Sequence, residues 1–87
     1  MNDTQKVRAL KRLNTRPAIS TKTVDICKGD IIGHRSNDPQ MIVKIELVTG
    51  GVEKITSRTT WEFKVVGVRS GRVSYPRFRN QEWSVIR

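Results

Sequence analysis

This sequence predicts a mainly β fold: a small antiparallel SH3-like barrel or roll of five to six strands, preceded by a short basic helix or flexible arm. Three observations predict it. Apolar and polar residues alternate with period two from residue 18 onward, the signature of strands with one face in a core. Glycine-containing turns interrupt that region at short intervals. The chain has 87 residues, room for one domain, and a domain of that size buries only about 60% of its unfolded surface. Closing the sheet is then the economical way to hide adhesive edges. An OB-like barrel is the second choice. Residues 1–17 form the arm and residues 18–87 the barrel domain.

Residues 4–13, TQKVRALKRL, carry the helical signal. Asp3 or Thr4 is placed to accept from the first free amides, and Asn14 to close the other end. Val7, Leu10 and Leu13 make a narrow apolar stripe surrounded by Lys6, Arg8, Lys11 and Arg12. About ten residues make a marginal helix unless that stripe docks. Arg16-Pro17 ends it, since proline pushes the preceding residue toward extended geometry.

The strand signals follow in order. Ile19, Val24 and Ile26 lead to a turn at Lys28-Gly29-Asp30, then Ile31-Ile32. Ser36-Asn37-Asp38-Pro39 is a loop, rich in residues that bond their own backbone. In Met41–Val48 the odd positions are apolar while Lys44 and Glu46 interrupt the even face. Thr49-Gly50-Gly51 is expected to be a hairpin turn, with Val52–Thr56 returning. Trp61, Phe63 and Val65 alternate with Glu62 and Lys64 in a strand reaching Val68. Arg69-Ser70-Gly71-Arg72 is a tight turn, Val73-Ser74-Tyr75 pairs back, and Trp83–Ile86 is the last strand. The large side chains Trp61, Phe63 and Trp83 are expected in the core.

The segment Lys28–Val43, KGDIIGHRSNDPQMIV, resembles the opening of the small YodC-like proteins, bacterial modules of SH3-like fold. The matching residues are Gly29, Asp30, Ile32, Arg35, Ser36, Pro39, Met41 and Val43. The resemblance implies the barrel and carries over no catalytic residue. The basic residues 1–17 have no counterpart in that family. Gly29-Asp30 is also similar to the turn of KOW-type modules.

Several classes of function are disfavoured. No catalytic base or nucleophile has an orienting partner in sight: His34 stands alone in a loop, and Asp25, Asp30 and Asp38 sit at turns, where aspartate caps amides. One histidine and one cysteine do not make a structural zinc site. No enzyme, metal or cofactor is expected. Cys27, the single cysteine, lies in an alternating stretch and reads as a small packed or half-buried side chain, in keeping with a reducing, cytoplasmic setting. The longest apolar run, Met41-Ile42-Val43, is far below the roughly 18 residues of a membrane span, and no apolar segment of a secretory signal follows the basic start.

Charge points to a partner. Seventeen Lys and Arg stand against eight Asp and Glu, a net charge of +9. The excess sits at the two ends, +5 over residues 1–23 and +4 over residues 69–87, around a neutral middle. Such a body attracts polyanions before contact. In the C-terminal stretch Arg69, Arg72, Arg77 and Arg79 alternate with Tyr75, Phe78 and Trp83. Guanidinium groups fork onto phosphates while aromatic faces stack on bases. On one strand Val73, Tyr75 and Arg77 share a face and Ser74, Pro76 and Phe78 the other. Tyr75 and Phe78 therefore both serve as platforms only where the strand breaks at Pro76. Lys6, Arg8, Lys11, Arg12 and Arg16 of the arm, and Arg35 beside His34, are the further phosphate contacts. The expectation is a non-catalytic module binding DNA or RNA, as a monomer or weak homodimer. The alternative is a basic adaptor or inhibitor docking on an acidic protein surface.

Overall fold

In the computed structural model, which describes residues 2–51 and 53–87, helix α1 spans Asp3–Thr15, slightly longer than its periodicity requires. Asn2, rather than Asp3 or Thr4, is its cap. The Asn2 side chain accepts from the Gln5 amide at 2.8 Å and the Gln5 side chain accepts from the Asn2 amide at 3.2 Å, a reciprocal capping box. At the far end the helix passes through Asn14 and stops at Arg16, extended at φ −110°, ψ 140°, ahead of Pro17.

The helix is docked, on a different stripe from the one expected. Ala9 is fully buried, with Leu10 and Leu13 packed beside it, whereas Val7 is 64% exposed. Positions 6, 9, 10 and 13 lie on one face at 3.6 residues per turn. Small Ala9 at the centre lets the helix approach the sheet. Lys6, on that face, is half-buried and donates from Nζ to the Arg69 carbonyl at 3.1 Å.

Strands β1 (Ile19–Lys22), β2 (Ile31–Ile32), β3 (Gln40–Thr49), β4 (Thr60–Gly67), β5 (Val73–Ser74), β6 (Arg77–Arg79) and β7 (Glu82–Val85) are all antiparallel to their partners. Five form one sheet in the order β2-β3-β4-β5, with β6 also on β4; β1 pairs with β7. Reciprocal Ile31–Ile86 backbone bonds, both 2.9 Å, tie the pair to β2. The result is mainly β, a curled antiparallel sheet forming a half-barrel with one N-terminal helix, compatible with a small SH3-like or OB-like barrel.

Two cores lie on either side of β2. One inside the curl holds Ile26, Ile32, Ile42, Trp61, Phe63, Val65 and Val85; the other, under α1, holds Ala9, Ile31, Val68 and Ile86. Trp61 and Phe63 are buried and Trp83 packs against the first core, as expected of the large aromatics.

Three local expectations fail. Alternation along β3 breaks at a bulge between Ile42 and Lys44. Ile42, Ile45 and Leu47 face the first core, Met41 turns toward α1, and Val43 is 42% exposed. An extra residue in one strand inverts the phase of all that follow. Second, Thr49-Gly50-Gly51 does not start a tight hairpin. β3 pairs with β4 directly, Thr49 opposite Thr60, with residues 50–51 and 53–59 in the connection between them. Of the expected return strand, only Lys54 pairs back, in a single antiparallel bridge to Gly51; residues 53 and 55–56 are turn and irregular structure, and Val52 lies outside the described residues. The loop's neck is tied by buried Thr59, whose Oγ1 accepts from the Thr56 amide at 2.9 Å. Gly50, at φ +94°, is needed there, since a Cβ would come 2.9 Å from that same oxygen. Third, Cys27 is exposed, its sulfur 3.5 Å from the Asp25 carbonyl.

Candidate functional site

Basic side chains along α1 line a cleft of about 420 Å³ between the helix and Met41. Gln5, Arg8, Arg12 and Arg16 follow one flank of the helix, with Lys11 and Thr15 farther round; no carboxylate lines the cleft. Arg12 donates from Nη1 to the Gly29 carbonyl at 3.0 Å and rests Nη2 3.6 Å from the Met41 sulfur. Arg16 donates from Nη1 to the Arg87 main-chain oxygen at 2.8 Å. The carbonyl and thioether that hold Arg12 are neutral and orient its guanidinium group without cancelling its charge.

The anchor beneath them is charged. Asp30 is 2% exposed and accepts from Arg87 Nε at 3.1 Å and Nη2 at 3.0 Å, and from the Cys27 amide at 2.9 Å. The forked bond to Asp30 holds the Arg87 pKa above its ordinary value. Arg87 thus serves the fold, holding the chain end where Arg16 finds it.

The turn Arg69–Arg72 adjoins the helix through the Lys6 bond to the Arg69 carbonyl. Asp38 sets its shape, accepting from the Ser70 hydroxyl and from the amides of Arg69 at 3.0 Å and Ser70 at 3.2 Å. Chiefly the Ser70 hydroxyl, then these amides, lower the Asp38 pKa from its ordinary value. Gly67 leaves room for that carboxylate, because a Cβ there would collide with it. Arg69 and Arg72 stay exposed, as does Arg35 in the loop that carries Asp38. Arg8, Lys11, Arg12 and Arg16 share the cleft, and the Lys6 bond joins the Arg69–Arg72 turn, from the opposite end of the chain, to the same helix.

The remaining candidates lie elsewhere. The strand does break at Pro76, which splits the C-terminal stretch into β5 and β6. Pro76 still accepts through its carbonyl from the Phe63 amide at 2.9 Å. Tyr75 is 59% exposed at the break. Phe78 turns inward, 5.5 Å from the Phe63 ring and 4.6 Å edge-on from Trp83, which removes it from the candidate surface. Arg77 is bonded to Glu62 at 2.9 Å, leaving Arg79 exposed beside it. Trp83 donates to the Thr23 hydroxyl at 2.7 Å. His34 is half-buried.

The sequence reading missed Gln5, Met41 and Lys64 as surface partners of the basic groups. Met41 read as an inward residue of an unbroken strand, and Lys64 meets Lys44 only through the register of β3 with β4. No periodic signal reports either fact. Among the described residues no helix is long and apolar enough to cross a membrane. No protein-family model, curated protein or solved structure matches this chain.

Proposed function

We propose that this chain is a non-catalytic nucleic-acid-binding module, cytoplasmic, that holds a phosphate backbone on the α1 cleft and the adjoining Arg69–Arg72 turn. The observation that carries the reading is the cleft itself: Arg8, Lys11, Arg12 and Arg16 converge with no carboxylate among its lining residues. The ion pairs among the described residues are Lys44–Glu46, Arg77–Glu62 and Arg87–Asp30, so none uses a basic group of α1 or of the turn. Clustered cations without acidic partners raise the local potential and exchange bound counterions for phosphates. Phosphate contacts position a protein and identify no base, so sequence-independent binding is expected.

The test is binding of labelled nucleic acid across a salt series, with the wild type and the triple variant Arg8→Gln, Lys11→Gln, Arg16→Gln. The variant is expected to bind at least about tenfold more weakly near 0.1 M salt, and its log–log salt slope to fall by about 2, since each lost contact removes roughly 0.7 to 0.9. Equal affinity of the two proteins would remove the cleft from the account. Retention of one stoichiometric protein partner after nuclease treatment, with no nucleic-acid binding, would instead support docking on an acidic protein surface.

A further inference from the structure

We infer that the ligand of this surface is an unpaired nucleic-acid strand, running from the α1 cleft across an apolar shelf of the sheet to Tyr75. The inference rests on the nucleic-acid reading above and narrows it. Gln5 and Met41, which border the cationic cleft, also border a second depression of about 380 Å³ over the outer face of the sheet. Its floor is apolar, with Val43, Val66 and Val73 beside Met41; Val43 is 42% and Val73 47% exposed. Lys64 lines this depression and also a third, which contains Tyr75. The three depressions therefore form one track through shared residues. Its order is cationic, then apolar, then a mixed end where Tyr75 stands among Lys44, Lys64, Glu46 and Glu62.

The bulge in β3 builds the middle of that track. Between inward Ile42 and inward Ile45 it turns two successive residues, Val43 and Lys44, to solvent. Bulges re-aim side chains in this way beside binding sites. Lys44 stands directly opposite Lys64 across the strand pair, and Glu46 opposite Glu62 two positions on, all four lining the depression that holds Tyr75. Glu46 bonds to Lys44, and Glu62 to Arg77. Lys64 has no carboxylate partner among the described ion pairs.

Charge complementarity selects an anion, and the apolar shelf selects which. A duplex presents phosphates and sugars outward and keeps its base faces stacked inside, so it has nothing to set against Met41, Val43 and Val73. An unpaired strand presents both phosphates and flat base faces, the pairing that cationic grooves with stacking platforms accept.

Three probes of equal length, roughly ten nucleotides and so within the span of one small barrel, test this by fluorescence anisotropy: a single strand, the same strand in duplex, and a strand of abasic phosphodiesters. The base-bearing strand is expected to bind at least about fivefold tighter than the abasic one, the weaker end of one stacked base, and tighter than the duplex. The exposed-site variant Val73→Ser, Tyr75→Ala is expected to erase the difference between base-bearing and abasic strands while abasic binding stays unchanged; Val43→Ser offers a second variant on β3. Equal affinity for base-bearing and abasic strands, or tighter duplex binding, would overturn the inference and leave the phosphate-binding reading standing. Absence of binding to all three probes at low salt would overturn both.

Discussion

Helix α1 and strand β6 both display arginine to solvent, yet the two surfaces differ in what stands beside the charge. On α1, Lys6 and Arg12 bond to carbonyls and a thioether and keep their charge available. On β6, Arg77 is held by Glu62, and the aromatic between the two arginines points into the core. An exposed ion pair contributes little stability, but it removes half of the field that β6 would otherwise offer. Interspersed arginine and aromatic residues are thus a weaker guide to an interface than cations gathered without acids.

The sharpest way to break this comparison is to detach the helix. Ala9→Glu places a carboxylate at a fully buried position against Ile31, Val68 and Ile86. It is expected to cost about 3 kcal/mol by urea unfolding, the scale of an unpaired buried charge or of a lost helix contact. Nucleic-acid affinity should fall with it, because the cleft has one wall on α1. Unchanged stability would mean that α1 contributes nothing to the folded state.

A smaller effect is expected at the turn. Asp38→Asn weakens the bonds to Ser70 and Arg69 and should cost about 1 kcal/mol, reduced by solvent access from the range for charged hydrogen bonds. Its pH dependence has a definite sign. The folded-state pKa is lowered from 3.8, so the stabilisation is present above that value and is lost as the pH falls below it, through the folded pKa. Unfolding curves from pH 6 to pH 2 should show a decline in the wild type that is shallower in the variant. Parallel curves would assign the acid loss to other carboxylates.

The smallest effect sharpens the comparison directly. Arg77→Gln with Arg79→Gln removes two charges from β6 and is expected to change affinity by no more than about twofold, because Arg77 is already paired and the field of an isolated exposed charge is screened over roughly 10 Å. A loss as large as that of the α1 triple variant would move the interface to the sheet.

Much of the fold was legible because it is written locally. Period two marked β3 and β4, Pro17 marked the end of α1, and the Gly71 turn lies where it was expected. The helix stripe shifts from Val7 to Ala9 because close approach to the sheet depends on size, and alanine, the residue that permits it, carries almost no apolar signal. The candidate surface was half legible. Charge at both chain ends was visible, but whether Tyr75 and Phe78 both face outward was not: the strand breaks at Pro76, yet Phe78 still packs on Phe63 and Trp83 while Tyr75 stays exposed.

Composition and periodicity by themselves determined a basic, mainly β domain led by a helix, since strand alternation and net charge are sums over neighbours in the chain. Three things belonged to the tertiary structure alone. The Asp30–Arg87 anchor, the Lys6–Arg69 contact and the β3 bulge join residues or phases that no local pattern links. They decide which cations share a surface, because that depends on the register of strands and the docking of α1, and both are settled only when the whole core packs.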